Sequence, residues 1–368
     1  MSSQPNILHI STPKSWRGGE QQLSYLHEEL NTKAINQYIL CRKGSEMAIR
    51  GKKKGWNIIE CKKRTAIDPV FAKKVKSICD LRNIDIIHTH DSHAHSFAVL
   101  SAILYGNKTP IVVSRRVDFA IKQTLFSKLK YNHKSVKRIL CVSNAIKTLT
   151  LPDIKNKNIV KTVHSGINID RFPFQKRDCN KLRAEFNISN SVKIIGNIAA
   201  ISPHKDYFTF VNTVKKLVSM RVNAKFIIIG TGPLEEEIKE YTSKQKMEEH
   251  IIFTGFRADI PEILPELDIF LITSETEGLG TSVIDAFACK VPVVGTQAGG
   301  IPELVKHEKS GLLAPVKDAE ELAFQVNRIL KNEIDLEAMI ASQQEILKSF
   351  TKTATAEKTL KEYLSLIN

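Results

Sequence analysis

Between Ile269 and Leu313 the chain repeats one local pattern twice: an apolar run, a glycine loop, and a helix start. The first run, Ile269–Thr273, ends in a polar loop carrying Glu275 and Glu277. Gly278 and Gly280 follow, and the pattern predicts a helix from about Thr281. The second run, Val291-Pro292-Val293-Val294, leads into Gly299-Gly300 and a second helix start near Pro302. Units of this kind build parallel sheets. Each loop leaves free backbone N–H groups and the positive end of a helix dipole at the mouth of the sheet. That mouth suits an anionic ligand, above all a phosphate, and Glu277 lies on the loop beside it.

The same alternation runs through the whole chain. Strands are predicted at 6–11, 35–40, 56–61, 84–89, 111–114, 139–143 and 160–164, and again at 194–198, 225–230, 251–255, 269–273 and 291–296. Helical patterns fall between them, for example at 19–30, 69–82, 95–104, 208–219, 233–244 and 319–330. Strands alternating with helices of this length imply an α/β protein with parallel sheets covered on both faces. A chain of 368 residues exceeds one ordinary core. We expect two Rossmann-like domains, residues 1–174 and 175–350, with the break near Pro173 to Asp178. Ligands in such folds bind beyond the carboxyl ends of the strands, so two facing domains would make a cleft.

Charge divides along the same line. Residues 1–174 hold 30 Lys and Arg against 12 Asp and Glu, whereas residues 175–368 hold 24 against 27. A basic half can meet nucleic acid, an anionic membrane or an acidic substrate. No nucleic-acid motif and no aromatic-rich basic strand is present, so nucleic acid is not the expected partner. The clusters Lys52–Lys54, Lys62–Arg64 and Lys122–Arg138 fit a membrane-facing or acceptor-facing surface. The six cysteines have no metal-type spacing and read as reduced core thiols of a cytoplasmic protein. The N-terminal sequence MSSQPNILHI predicts no secretory signal, and no run is long enough for a membrane span. Any membrane contact would then be peripheral, on the inner face.

Three further loops carry candidate chemistry. Ser15-Trp16-Arg17-Gly18-Gly19-Glu20 follows the first strand, where two glycines let backbone approach a ligand at a helix start. Its spacing is not that of a dinucleotide fingerprint. Asp85 to His95 ends a strand with His88, His90, Asp91, His93 and His95. Histidine and aspartate are good metal ligands, but Asp91 follows His90 directly and breaks the register of a His-x-His-x-Asp-His hydrolase motif. Ile194–Asp206 is a strand followed by a loop holding His204 and Lys205.

Taken in order, these motifs resemble the family-4 retaining glycosyltransferases of the GT-B fold. Glu277-Gly278-Leu279-Gly280, Pro292-Val293-Val294, Gly299-Gly300 and Glu303 match that family's signature. Its second glutamate, eight positions after the first, is here Asp285. Softer matches are Gly18-Gly19 with Glu20, Gly230-Thr231-Gly232-Pro233-Leu234, Thr254-Gly255-Phe256-Arg257, Val142-Ser143-Asn144 and His164 to Phe172. The resemblance covers nearly the whole chain.

It implies a GT-B fold in which the last helix, 351–368, packs back on the N-terminal domain. It implies transfer of a sugar from a nucleotide-diphosphate sugar to an acceptor hydroxyl, with retained configuration and no metal or cofactor. The nucleotide sugar is then a co-substrate. It assigns Glu277 to the donor sugar, His90 to a sugar hydroxyl, Lys205 to the diphosphate and Asp285 to the ribose. Gly18, Gly19, Gly232, Phe256, Gly280, Thr281 and Ser282 would border the donor. The arginine usual before Lys205 is Ala200 here, and Arg115, Arg116 or His204 are the candidates to replace it. A glycan or lipid-linked acceptor for cell-surface glycan synthesis would meet the basic half. Two alternatives stand beside this reading: a metal hydrolase built on His88, His90, Asp91 and His93, and a GT-B nucleotide-sugar epimerase.

Overall fold

A computed structural model describes residues 4–173 and 179–367. The chain forms two compact units, residues 1–166 with 352–368, and residues 167–351. The break expected at Pro173 to Asp178 falls mostly on residues outside the described ones. The units divide earlier, and Ile167–Pro173 belong with the second.

The first unit holds seven strands: β1 (Asn6–Ser11), β2 (Asn36–Arg42), β3 (Ile58–Cys61), β4 (Ile86–Thr89), β5 (Ile111–Arg115), β6 (Val136–Cys141) and β7 (Val160–Thr162). They form one sheet in the order β3-β2-β1-β4-β5-β6-β7, with every pairing parallel. The second unit holds β8 (Lys193–Ile198), β9 (Ala224–Ile229), β10 (Ile251–Gly255), β11 (Ile269–Ile272), β12 (Val293–Thr296) and β13 (Leu312–Ala314). Its order is β10-β9-β8-β11-β12-β13, again all parallel. Both are doubly wound Rossmann-like sheets. In each, the order reverses beside the first strand: between β1 and β4, and between β8 and β11. Those two crevices are where such sheets bind ligands.

Every strand expected from the sequence is present. One further strand, β13, three residues long, was not expected from the sequence. Helix starts follow local capping. Asp91 accepts from the N–H groups of His93 and Ala94 at 2.9 and 3.0 Å and opens Ser92–Tyr105. Asp206, itself at φ +45°, accepts from Thr209 N–H at 3.1 Å and opens Tyr207–Ser219. Such caps satisfy donors that a helix cannot satisfy itself. The helix expected near Pro302 is a single turn, Ile301–Leu304. The helix from Thr281 runs to Ala288.

The last helix, Lys352–Ile367, lies in the first unit against Gly18–Thr32. It buries Ala356 and Tyr363 beside Ile7, Leu26, Leu30, Ile86, Val112 and Leu140. Arg138 donates to Glu362 at 2.7 Å from β6. The second unit's core is built from Ile195, Phe226, Ile228, Ile269 and Leu271 under Phe210, Val214, Leu322 and Val326. A fully buried leucine or phenylalanine contributes about 1.5–3 kcal/mol, so each unit has its own stabilising core.

Candidate active site

In the second unit the crevice between β8 and β11 gathers the candidate donor residues. The loop after β8 carries Lys205, and the loop after β11 carries Glu277. Their side chains form an ion pair with only 15% and 14% of their surface exposed. Ser274 donates to the same Glu277 oxygen at 3.4 Å. The second loop is joined to the first through backbone: the Glu275 N–H donates to the His204 carbonyl at 2.9 Å.

The glycine pair Gly299-Gly300 explains how that loop keeps its place. A β-carbon on Gly299 would stand 2.0 Å from the Glu277 carbonyl oxygen, and one on Gly300 would stand 2.5 Å from that of Gly278. Gly299 is also at φ +50°. Gly300 N–H then donates to the Glu277 carbonyl at 2.9 Å. The two loops therefore pack backbone to backbone, which only glycine allows.

After Glu277 the chain turns through Gly280, at φ +90°, into Thr281–Ala288. Among the described residues nothing accepts from the N–H groups of Gly280, Thr281 or Ser282. Asp285 lies one turn on, and no described residue donates to its carboxylate. Burial pushes its pKa up to about 7, with Arg171 opposing the shift. An ion pair, three unpaired N–H groups and an unpaired carboxylate thus stand on the segments that follow β8 and β11. The first two suit a diphosphate, and the third can accept from hydroxyls.

Other sequence candidates have different parts. A β-carbon on Gly232 would meet the Ile201 carbonyl at 2.1 Å, and one on Gly230 would meet that of Ala199 at the same distance. These glycines seat their turn on the loop after β8. Phe256, after β10, has 78% of its surface exposed. Arg257 is held by Asp259 and Glu185, at 2.7–2.8 Å. Ala200 is exposed.

In the first unit the crevice between β1 and β4 holds Gly18, Gly19, Glu20 and His90. Gly18 and Gly19 have ordinary backbone angles, and a β-carbon on either meets nothing within 4 Å. Packing does not require glycine there. Glu20 accepts from Ser11 Oγ at 3.1 Å and from Arg17 N–H at 3.2 Å, and its burial raises its pKa.

Hydrogen bonds fix the state of His90. Gln37 Nε2 donates to the His27 carbonyl at 3.0 Å, which turns Gln37 Oε1 toward His9. His9 Nε2–H donates to that oxygen at 3.1 Å. His9 Nδ1, 3.0 Å from His90 Nε2, must then accept. His90 Nδ1 is left to accept from Arg116 at 3.4 Å. Burial holds His9, His88 and His90 all well below the usual imidazole range. His90 is therefore neutral, not protonated, and both its nitrogens are engaged. A hydroxyl could reach Nδ1 only by displacing Arg116.

The proposed hydrolase cluster does not assemble. His9, on β1, joins His88 and His90 instead, with ligand atoms within 4.8 Å of one another. All six of their ring nitrogens have hydrogen-bond partners, those of His88 being Tyr363 and Ser114. Asp91 caps its helix and holds Thr12 at 2.7 and 2.8 Å. His93 stacks on Phe97. Each of the three guanidinium nitrogens of Arg115 also has a partner, in Thr150, Tyr131 and the Phe119 carbonyl, so it does not replace the missing arginine. The sequence reading missed His9, Gln37 and Tyr363. The available signal was His9 itself, a histidine inside the apolar strand NILHIS, in register with His88.

Comparison with known proteins gives the family. The family described as "Glycosyl transferases group 1" matches residues 178–345, and "Glycosyltransferase Family 4" matches residues 16–171. The N-acetyl-alpha-D-glucosaminyl L-malate synthase of Bacillus anthracis is 29% identical over 271 residues, 72% of this chain and 70% of its own. The UDP-Gal:alpha-D-GlcNAc-diphosphoundecaprenol alpha-1,3-galactosyltransferase of Escherichia coli is 21% identical over 80% of each chain. Among solved structures, Anabaena HepE in complex with UDP and glucose superposes with a TM-score of 0.84, at 19% identity, over 98% of this chain and 100% of its own. With two matching families tiling nearly the whole chain over two doubly wound sheets, this protein belongs to the family-4 glycosyltransferases of the GT-B fold.

Proposed function

We propose that the enzyme transfers a sugar from a nucleotide-diphosphate sugar to an acceptor hydroxyl with retention of configuration, without a metal, in the synthesis of a cell-surface glycan. The observation that carries this reading is the Lys205–Glu277 pair at the crevice of the second sheet, beside the unpaired N–H groups of Gly280, Thr281 and Ser282. HepE was solved with UDP and glucose, and the relatives named above are an N-acetyl-alpha-D-glucosaminyl L-malate synthase and an alpha-1,3-galactosyltransferase.

In this mechanism the bond between the anomeric carbon and the phosphate oxygen breaks. The acceptor oxygen bonds to the same face of that carbon, and its proton passes to the departing phosphate oxygen. Lys205 and the three N–H groups stabilise the charge that grows on the diphosphate. Each preorganised donor of this kind is worth about 3 kcal/mol in the transition state. Together they make a metal unnecessary for that task. Glu277 orients the donor-sugar hydroxyls, and Asp285 accepts from the ribose. The exposed Phe256 offers a face to the base.

A thermal-shift screen against nucleoside diphosphates and their sugars, with and without EDTA, tests the reading, because a ligand that binds only the native state raises the melting point. Stabilisation by one diphosphate, insensitive to EDTA and lost in Glu277→Ala, supports it. Indifference to every nucleotide sinks it. Proton NMR of the product reads the retained anomer.

A peripheral membrane contact fits the first unit. Phe119, Leu125 and Leu129 have 56%, 88% and 47% of their surfaces exposed, beside Lys122, Lys128 and Lys134. Apolar side chains that can insert, ringed by lysines, suit an anionic bilayer. No helix among the described residues is long and apolar enough to cross a membrane. Sedimentation with anionic and neutral liposomes at low salt distinguishes contact from none.

A further inference from the structure

The first unit contains a cavity of about 320 Å³ whose wall includes Glu20, His90, His95, Arg116, Phe119 and Tyr131. Two neighbouring arginines reach this wall, and they differ. Arg115 donates from Nε to Thr150 at 2.8 Å, from one terminal nitrogen to Tyr131 at 2.9 Å, and from the other to the Phe119 carbonyl. That is how an arginine built for structure looks. Among the described residues Arg116 makes only two bonds, both long and both to His90, at 3.3 Å to its carbonyl and 3.4 Å to Nδ1. Its Nε is buried with no partner.

No carboxylate among the described residues lies within 4 Å of Arg116. The two acids of the wall already have other donors. Asp91 accepts from Thr12, His93 and Ala94, and Glu20 accepts from Ser11 and Arg17. Burial pulls the Arg116 guanidinium down to about 10, with Glu20 and Asp91 opposing at longer range. A second orphan stands in the same wall. His95 is buried, its Nε2–H donates to the Lys130 carbonyl at 3.2 Å, and its Nδ1 has no partner. A buried polar group left unpaired costs free energy unless something completes it.

We infer that this cavity binds the acceptor through an oxyanion, a carboxylate or phosphate carried close to the reacting hydroxyl, with Arg116 as its cationic partner. The inference rests on the transferase reading above and adds the chemical class of the acceptor. A guanidinium with open donors matches a carboxylate or phosphate in two-pronged geometry. The volume suits a small hydroxy acid or a phosphate head group, not a long glycan. Gly18 and Gly19, which packing does not require, leave backbone open on the same crevice.

The test uses the full chain at fixed ionic strength, reading binding by calorimetry and melting point. The probes are L-malate, glycerol 3-phosphate and inorganic phosphate, with glycerol as the neutral control. Saturable binding of an anion, but not of glycerol, is expected. It should weaken about tenfold or more in Arg116→Gln and recover in part in Arg116→Lys, while the nucleotide diphosphate still binds. Preference for malate marks a small hydroxy acid, and preference for glycerol 3-phosphate marks a lipid head group. Anion binding that is equal in Arg116→Gln, or absent from wild type, overturns the inference. If the nucleotide binds in that experiment, the transferase reading survives. If no nucleotide binds, both fall, whatever the anion does. An unchanged melting transition of the first unit in Arg116→Gln shows that the variant folds.

Discussion

Lys205 and Glu277 are 72 residues apart in sequence and form an ion pair at the carboxyl edge of one sheet. Each stands on a loop that its own strand delivers to the same crevice. Removing one partner leaves the other charge largely buried and alone. Lys205→Ala should therefore lower stability by about 2–4 kcal/mol, and Glu277→Gln by somewhat less, read from the melting transition of the second unit. Both should depress kcat for sugar transfer by a factor of about 10² or more. Wild-type turnover by Glu277→Gln would remove this residue from the chemistry.

Asp285 gives the second unit a pH signature. Its folded pKa, about 7, lies above the ordinary value of 3.8. The folded state therefore holds the proton more tightly. Its contribution is fully present below pH 4 and is lost as pH rises toward 7. Asp285→Asn should abolish that loss and stabilise the protein at pH 8 by about 1–3 kcal/mol, since the residue is not wholly buried. The carboxylate is the form that accepts from ribose hydroxyls. Nucleotide affinity should accordingly rise from pH 6 to 8 in wild type and stay flat in the variant, measured by calorimetry.

The first unit should respond to pH with the opposite sign. His9 and His27 are held at about 3 and about 4, and His88, His90 and His95 also lie well below 6.5. Groups depressed in this way contribute stability that is present above pH 6.5 and lost as pH falls toward their folded values. Acidification from pH 7 to 5 should lower the melting point of this unit. His9→Gln should blunt that slope, and nitrogen NMR should find these imidazoles neutral at pH 6.

Two glycine pairs that look alike in sequence should behave differently. Gly299→Ala forces a β-carbon into the Glu277 carbonyl at φ +50°, so it should destabilise by about 3 kcal/mol or more and lose nucleotide binding. Gly18→Ala meets nothing within 4 Å. It should leave the melting point unchanged or slightly higher, as alanine is the better helix residue, and weaken ligand binding alone. A melting-curve and binding pair for the two variants separates glycine kept for packing from glycine kept for a ligand.

The sequence by itself determined the strand and helix alternation, the two parallel sheets and the loops after β1, β4, β8 and β11 that carry the candidate site. These follow from short-range physics: apolar runs of strand length, cap residues, and glycines where a chain must turn. It also placed Glu277, Lys205 and Asp285 on the right loops and helix. Tertiary structure alone decided which groups meet. The register of β1 against β4 sets His9 beside His88, and Gln37 on β2 fixes the tautomers of His9 and His90. Tyr363 reaches His88 from a helix 275 residues away in sequence. Packing likewise assigned Gly232 and Gly299 to backbone contacts, gave each guanidinium nitrogen of Arg115 a partner and left Arg116 short of partners. A side chain's protonation and its free valences depend on burial and on neighbours brought in by long-range pairing, and no local pattern encodes them.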